Sequence, residues 1–132
     1  MSNPYFRFKQ FTVWHDRCAM KVGTDGVLIG AWCDVDACRR ILDVGCGTGL
    51  ISLMIAQRTS DRTMIEGVEI DAVAAEQAAE NTDRSPWKNR LRIHTSDFLD
   101  FATSATVRYD HIVSNPPYFE KSLLPEDAAR LT

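Results

Sequence analysis

Three glycines in five residues, Gly45, Gly47 and Gly49, separate an apolar run ending at Val44 from a helical apolar pattern beginning at Leu50. Glycine is needed where φ is positive or where a ligand must approach the backbone without meeting a Cβ. A plain strand-to-helix turn needs fewer. The spacing is GxGxG rather than the GxGxxG of dinucleotide folds, and no GK[ST] follows. Neither an NAD fingerprint nor a phosphate-binding P-loop fits it.

The rest of the chain repeats the strand–turn–helix pattern. "RRILDVG", "TMIEGVEI", "NRLRIHT" and "YDHIVS" read as four strands, with "TGLISLMIAQR", "AVAAEQAAENTDR" and "SDFLDFA" as the intervening helices. Alanine and glutamate favour the second of these helices intrinsically. Such alternation predicts a parallel sheet covered on both faces. Right-handed crossovers make it a Rossmann-like, doubly wound α/β fold. "GTDGVLIGAW" predicts one more helix, opening at Thr24 with Asp25 in its first turn, where the helix dipole favours a carboxylate. Residues 1–23 read as an extended or hairpin segment and 24–132 as one ligand-binding domain; 132 residues suit a single core.

The net charge of −3 excludes a chain that grips nucleic acid by bulk electrostatics. The charge is uneven, however. Residues 1–21 hold Arg7, Lys9, Arg17 and Lys21 against Asp16 alone, interleaved with aromatics in "YFRFKQFTVWHDR". Either this is an amphipathic hairpin with its aromatics packed inward, or it also contacts phosphates. Cys18, Cys33, Cys38 and Cys46 form no CxxC pair and have no clustered histidines. They read as free thiols, mostly buried, with no metal expected. No apolar run is long enough to span a bilayer and the N-terminus is no signal peptide, so no membrane partner and a cytoplasmic location are expected.

In doubly wound sheets ligands bind beyond the carboxyl ends of the strands. Four strand ends therefore describe one site. Asp43, before the glycine turn, either accepts from a cationic ligand or fixes the turn. Glu69, with Ile70 beside it, is placed to accept from a ribose diol, and Asp71 reads as a helix cap. Asp97 and Phe98 suit an adenine amine and ring, although "SDF" is equally a competent helix N-cap. With Gly45, Gly47 and Gly49 they describe a pocket for an adenosine carrying a positively charged or amino-acid end. After the fourth strand comes "SNPPYF". Prolines stop the strand, but stopping it requires neither Asn115 nor Tyr118.

"ILDVGCGTG", "VEID", "SDF" and "NPPY" stand in the order and spacing of class I S-adenosylmethionine-dependent methyltransferases, and the chain resembles that family over essentially its whole length. Its start, "FKQFTVWHDRCAMKVGTDGVLIGAW", is similar to the bacterial tRNA adenine-N6 methyltransferases acting beside the anticodon of a valine tRNA. The resemblance implies S-adenosylmethionine as cofactor, S-adenosylhomocysteine as product and no metal. It further implies that Thr24 and Asp25, together with Lys21, wrap the methionine end. The NPPY motif implies attack by a planar nitrogen. An exocyclic amine is a poor nucleophile because its lone pair is delocalised into the ring. The Asn115 side-chain oxygen and the Pro116 carbonyl can accept its two N–H groups and favour the pyramidal transition state, so Asn115 belongs to both the catalytic and the cofactor set. Pro116 and Pro117 stiffen that carbonyl, Tyr118 offers a stacking face, and Phe119 extends it or anchors the loop.

Within the superfamily the rival substrates are a release-factor glutamine amide and an rRNA or DNA amine. From another class comes a cofactor-binding fragment without turnover. That last reading draws on the sequence ending soon after the fourth strand, where the family continues its sheet. The expectation is a C-terminally truncated enzyme, or a sheet edge left open to self-association. His94 and His111 read as structural strand residues, and His15 as a possible RNA contact.

Overall fold

The computed structural model describes residues 3–116. The predicted elements are present in the expected order. Strands β1 (Tyr5–Arg7) and β2 (Thr12–Trp14) form an antiparallel hairpin, followed by helix α1 (Thr24–Trp32). Then β3 (Arg40–Val44), α2 (Leu50–Arg58), β4 (Met64–Glu69), α3 (Ala72–Asp83), β5 (Leu91–Thr95), α4 (Phe98–Ser104) and β6 (His111–Ser114) alternate. The four later strands form one parallel sheet in the order β5-β4-β3-β6. The chain winds outward from β3 through β4 to β5, then returns to the other side of β3. The β3–β6 seam is therefore a topological switch point, where such sheets open a crevice at the strands' carboxyl ends.

Register sorts the strand residues between two faces. Ile41, Ile65 and Leu91 align across neighbouring strands. They meet the buried row of α2, Leu53 and Ile55 among it, in a core that also takes in Val113 and the hairpin's Phe11 and Val13. Seven consecutive α2 residues, Leu50 to Ala56, are buried, because this helix lies between the sheet and α1.

The opposite face departs from expectation. Leu42, Glu66, Arg92 and Ile112 align there. Its one described helix, α4, buries no residue, and Ile112 is 56% exposed. Cover here is thinner, not absent: Phe101 of α4 lies against His94 and Tyr109 and Leu42 is buried, while the face also carries charge. The Glu66 carboxylate accepts from Arg40 Nη2 at 3.0 Å and Tyr109 Oη at 3.1 Å, and meets His94 Nε2 at 2.7 Å. His94 is thus structural, as its strand position implied.

The hairpin is also less inward-facing than its amphipathic pattern suggested. Phe11 is buried, but all of β1 is exposed, with Phe6 at 47%. Two buried amides on α3 dock the segment after it. Asn81 Oδ1 accepts from Trp14 N at 2.9 Å, and its Nδ2 donates to Trp14 O at 2.9 Å and to Thr48 O at 2.8 Å. One turn earlier, Gln77 Oε1 accepts from Arg17 N at 3.1 Å and its Nε2 donates to Asp16 Oδ1 at 2.7 Å. His15 is buried as well: Nδ1 accepts from Val22 N at 3.0 Å and Nε2 lies 2.8 Å from Asn3 O. Both ring nitrogens are engaged inside the protein, so the RNA contact considered for His15 does not hold in this arrangement. Of the four thiols, all free, Cys18 and Cys46 are buried while Cys33 and Cys38 are only partly so, fewer than expected.

Buried polar groups left without partners destabilise by about 1–3 kcal/mol each. Asn81→Ala strands both backbone groups of Trp14 and the carbonyl of Thr48. It should lower unfolding free energy by about 2–4 kcal/mol, read from the urea midpoint at unchanged m.

Candidate active site

The glycine turn is built on left-handed backbone: φ is 70° at Gly45, 53° at Gly47 and 86° at Gly49. An L-residue side chain would be strained at each. The turn is tied to β4 rather than left free. Gly45 N and Cys46 N both donate to Val68 O, at 2.8 and 3.1 Å. Gly47 N donates to Glu69 Oε1 at 2.8 Å, while Glu69 Oε2 accepts from Asp71 N at 3.1 Å. A Cβ added at Gly45 would meet nothing within 4 Å, so this position faces open space.

Two adjoining hollows open there, of about 310 and 320 Å³, and Met20, Gly45 and Gly47 line both. The first is bounded by Lys21, Thr24, Asp25 and Asn115. The second holds Glu69, Ile70, Asp97 and Phe98, floored by Val68 and Ala74. The strand ends therefore converge on a divided cleft rather than on one undivided pocket. Its second half carries Glu69, Asp71 and Asp97 and, among the described residues, no basic side chain. Phosphate would be repelled there, whereas a group rich in hydroxyl and amine donors has acceptors waiting. A carboxylate offers about four acceptor positions, so Glu69 can hold its two backbone donors and still take a diol. The donor set fits an adenosine with a cationic tail, the cofactor that the resemblance implies: the second half suits the nucleoside and the first, with Lys21 and Asp25, an amino acid's carboxylate and ammonium.

Two other expected members lie elsewhere. Asp43 lines neither hollow and is 1% exposed. Strand alternation points it, like Ile41, toward α2, where Oδ2 accepts from Ser52 Oγ at 2.8 Å and Oδ1 has no hydrogen-bond partner. Of its two readings the geometry matches the one in which it fixes the turn and its helix. Burial pushes its carboxyl up from the ordinary 3.8 to about 7, with a smaller push from the Glu69 charge, against the Ser52 hydrogen bonds. Gly49 also misses the cleft; it caps α2 and lies against Ala78, where an added Cβ would come within 3.5 Å.

Asp71 caps α3, accepting from Val73 N at 3.3 Å, and Asp97 caps α4, accepting from Leu99 N at 3.4 Å. Asp97 thus serves its helix and lines the cleft together. Cys46 lines the first hollow, but burial raises its thiol well above the ordinary value, which leaves no thiolate for nucleophilic work. Asn115 is 8% exposed at the end of β6, and Pro116 follows it on the surface. Pro117, Tyr118 and Phe119 lie outside the described residues.

Sequence reading missed three contributors. Met20 is the shared wall. Gly26 on α1 sits so near the site that a Cβ would reach Leu50 Cδ2 at 3.0 Å and Asn115 Nδ2 at 3.4 Å. A glycine inside a helix, normally unfavourable, was the available signal. Asn81 was hidden as ordinary helix composition.

The Asp43 shift carries a testable sign. The folded chain holds this proton more tightly than the unfolded chain, so stability falls as pH rises from about 4 to about 7. Asp43→Asn should flatten that slope in urea titrations across the window; an unchanged slope would assign the pH dependence elsewhere.

The comparisons agree with this architecture. The chain is 56% identical to the tRNA1(Val) (adenine(37)-N6)-methyltransferase of Bacteroides fragilis, across 100% of this chain and 55% of the relative. It is 56% identical to the enzyme of the same name from Escherichia coli O1:K1 / APEC, across 89% of this chain and 48% of the relative. It therefore spans about half the length of the curated relatives it matches. Among solved structures, the O-methyltransferase from Bacillus cereus in complex with SAH superposes with a TM-score of 0.59 at 19% identity, over 76% of this chain and 48% of that one. That likeness establishes the fold. A family model described as methyltransferase small domain matches residues 24–130, and with the cleft at the switch point already in place, the chain belongs to that methyltransferase family.

Proposed function

We propose that this chain supplies the cofactor-binding and amine-positioning part of an S-adenosylmethionine-dependent N-methyltransferase acting on the N6 amine of an adenine in tRNA, near the anticodon. The observation that carries the chemistry is Asn115. It stands at the end of the strand across the switch point from the glycine turn, and it lines the same hollow as Gly45, Gly47, Thr24 and Asp25. The choice of tRNA rests on relatives at 53–57% identity that carry that name. A cytoplasmic location goes with a tRNA substrate; among the described residues no helix is long and apolar enough to cross a membrane.

When bound, the cofactor supplies an electrophilic methyl on a sulfonium sulfur. The chain's own task is positioning, and well-oriented reactants can gain roughly 7–11 kcal/mol in this way. The Asn115 amide oxygen and the Pro116 carbonyl accept the two amine N–H groups and turn the nitrogen lone pair toward the methyl. Gly26 lets α1 come close to the Asn115 amide, since a Cβ there would lie 3.4 Å from Asn115 Nδ2 and 3.0 Å from Leu50 Cδ2. Glu69 and Asp97 orient the nucleoside half through its hydroxyl and amine donors. The surplus proton leaves to water after transfer, so no protein base is required. From sequence alone, Pro117 is assigned to stiffen the Pro116 carbonyl and Tyr118 to stack on the base.

The test uses a longer version of the protein with radiolabelled methyl donor, offered total tRNA, rRNA, DNA and release factor in parallel. Label should enter tRNA. Label confined to release factor would replace the substrate class by a glutamine amide. Asn115→Ala should reduce turnover by about 100-fold or more while leaving cofactor affinity nearly unchanged. Equal losses in both would overturn its amine-positioning role.

A further inference from the structure

A third cavity lies away from the cofactor cleft. It has a volume of about 760 Å³, between the N-terminal hairpin and the C-terminal end of α3. Arg7 and Lys9 reach it from the hairpin and Arg84 from the end of the helix. Among the described residues no aspartate or glutamate lines it, in a chain whose net charge is −3. None of the three cations makes an ion pair or a side-chain hydrogen bond with the described residues, whereas Arg17 nearby is bound by both Glu76 and Glu80. Tyr5 and Trp14 line the same cavity as a tilted pair, ring centroids 4.9 Å apart. Tyr5 is 36% exposed.

We infer that this groove is a binding site for the RNA backbone, separate from the catalytic cleft. Three unneutralised cations without a carboxylate answer a run of phosphates, and the Tyr5–Trp14 pair offers a face on which an unpaired base stacks. An acidic peptide would satisfy the cations but leave the aromatic face unused, so RNA is the better match. The groove is also mechanically joined to the cleft. Asn81 lines it and holds Thr48 of the glycine turn at 2.8 Å. RNA held here is held by the wall of the site that would act on it. The inference rests on the nucleic-acid reading given above.

The test measures binding of the full chain to a synthetic anticodon stem-loop RNA by fluorescence anisotropy over a range of salt. The variant R7A/K9A/R84A should lose affinity by roughly 10- to 100-fold at low salt. The slope of log K against log salt should shrink by about 2–3, roughly 0.7–0.9 per phosphate contact removed. S-adenosylmethionine affinity, followed by calorimetry, should not change, because none of the three residues lines the cleft. Arg84→Glu alone, on an exposed helix end, provides a second reading should the triple variant not fold. An undiminished affinity in these variants overturns the proposal, as does failure of the unsubstituted chain to bind RNA. Polyglutamate competing as well as RNA would also overturn it, by making the groove a peptide site. The two readings fail separately: tRNA methylation by a longer enzyme at unchanged KM with all three cations removed defeats the groove alone, whereas label only in release factor defeats the substrate assignment.

Discussion

Gly47 holds a left-handed backbone and donates its N–H to Glu69, and the cleft depends on that hydrogen bond. A carboxylate accepting from a backbone N–H makes a charge-assisted bond, roughly twice as strong as a neutral one. Here it fixes the turn after β3 to the end of β4, so two strand tips move as one body. The same carboxylate reaches Asp71 N, which places the start of α3, and α3 in turn carries the amides that hold the N-terminal segment. Both halves of the cleft share Gly45 and Gly47 as their common ridge. Remove the carboxylate and the ridge keeps only the bonds of Gly45 N and Cys46 N to Val68 O, losing its tie on the side where a nucleoside would lie.

The order of elements was legible because their apolar periods are clear and their punctuation is strong. The glycines, Asp71 and the prolines after Ser114 mark ends that the structure also marks. Legibility failed where a residue's role depends on which way it points or on what approaches it from far along the chain. Asp43 stands beside the glycine turn and looked available, but alternation from Ile41 already turned it toward the helices. Gln77 and Asn81 read as members of an alanine-rich helix. Their partners, Trp14 and Arg17, lie about sixty residues earlier, and nothing local announces them.

The uneven cover of the sheet has a similar origin. Glu66 looked like one polar interruption in a buried strand. In the fold it gathers Arg40, His94 and Tyr109, and the first effect of that burial is to oppose its charge while those partners restore it. Tyr109 pays accordingly: burial, with the charge of Glu66, pushes its phenol up to about 12. Asp110 next to it accepts from Arg39 N and Arg40 N at 2.6 and 3.0 Å and pins the entry of β6 beside β3. The β3–β6 seam is thus clamped at one end by Asp110, while at its carboxyl end Ser114 Oγ donates to Val44 O at 3.1 Å.

Because the Asn81 amide is shared between Trp14 and Thr48, the N-terminal strap has no cheap way to lift. Peeling it back would break both Trp14 bonds to Asn81 together with the Gln77 bonds to Asp16 and Arg17, so the strap is a fixed jamb and no swinging door. Met20, carried on the same segment, is therefore a fixed partition that both hollows share.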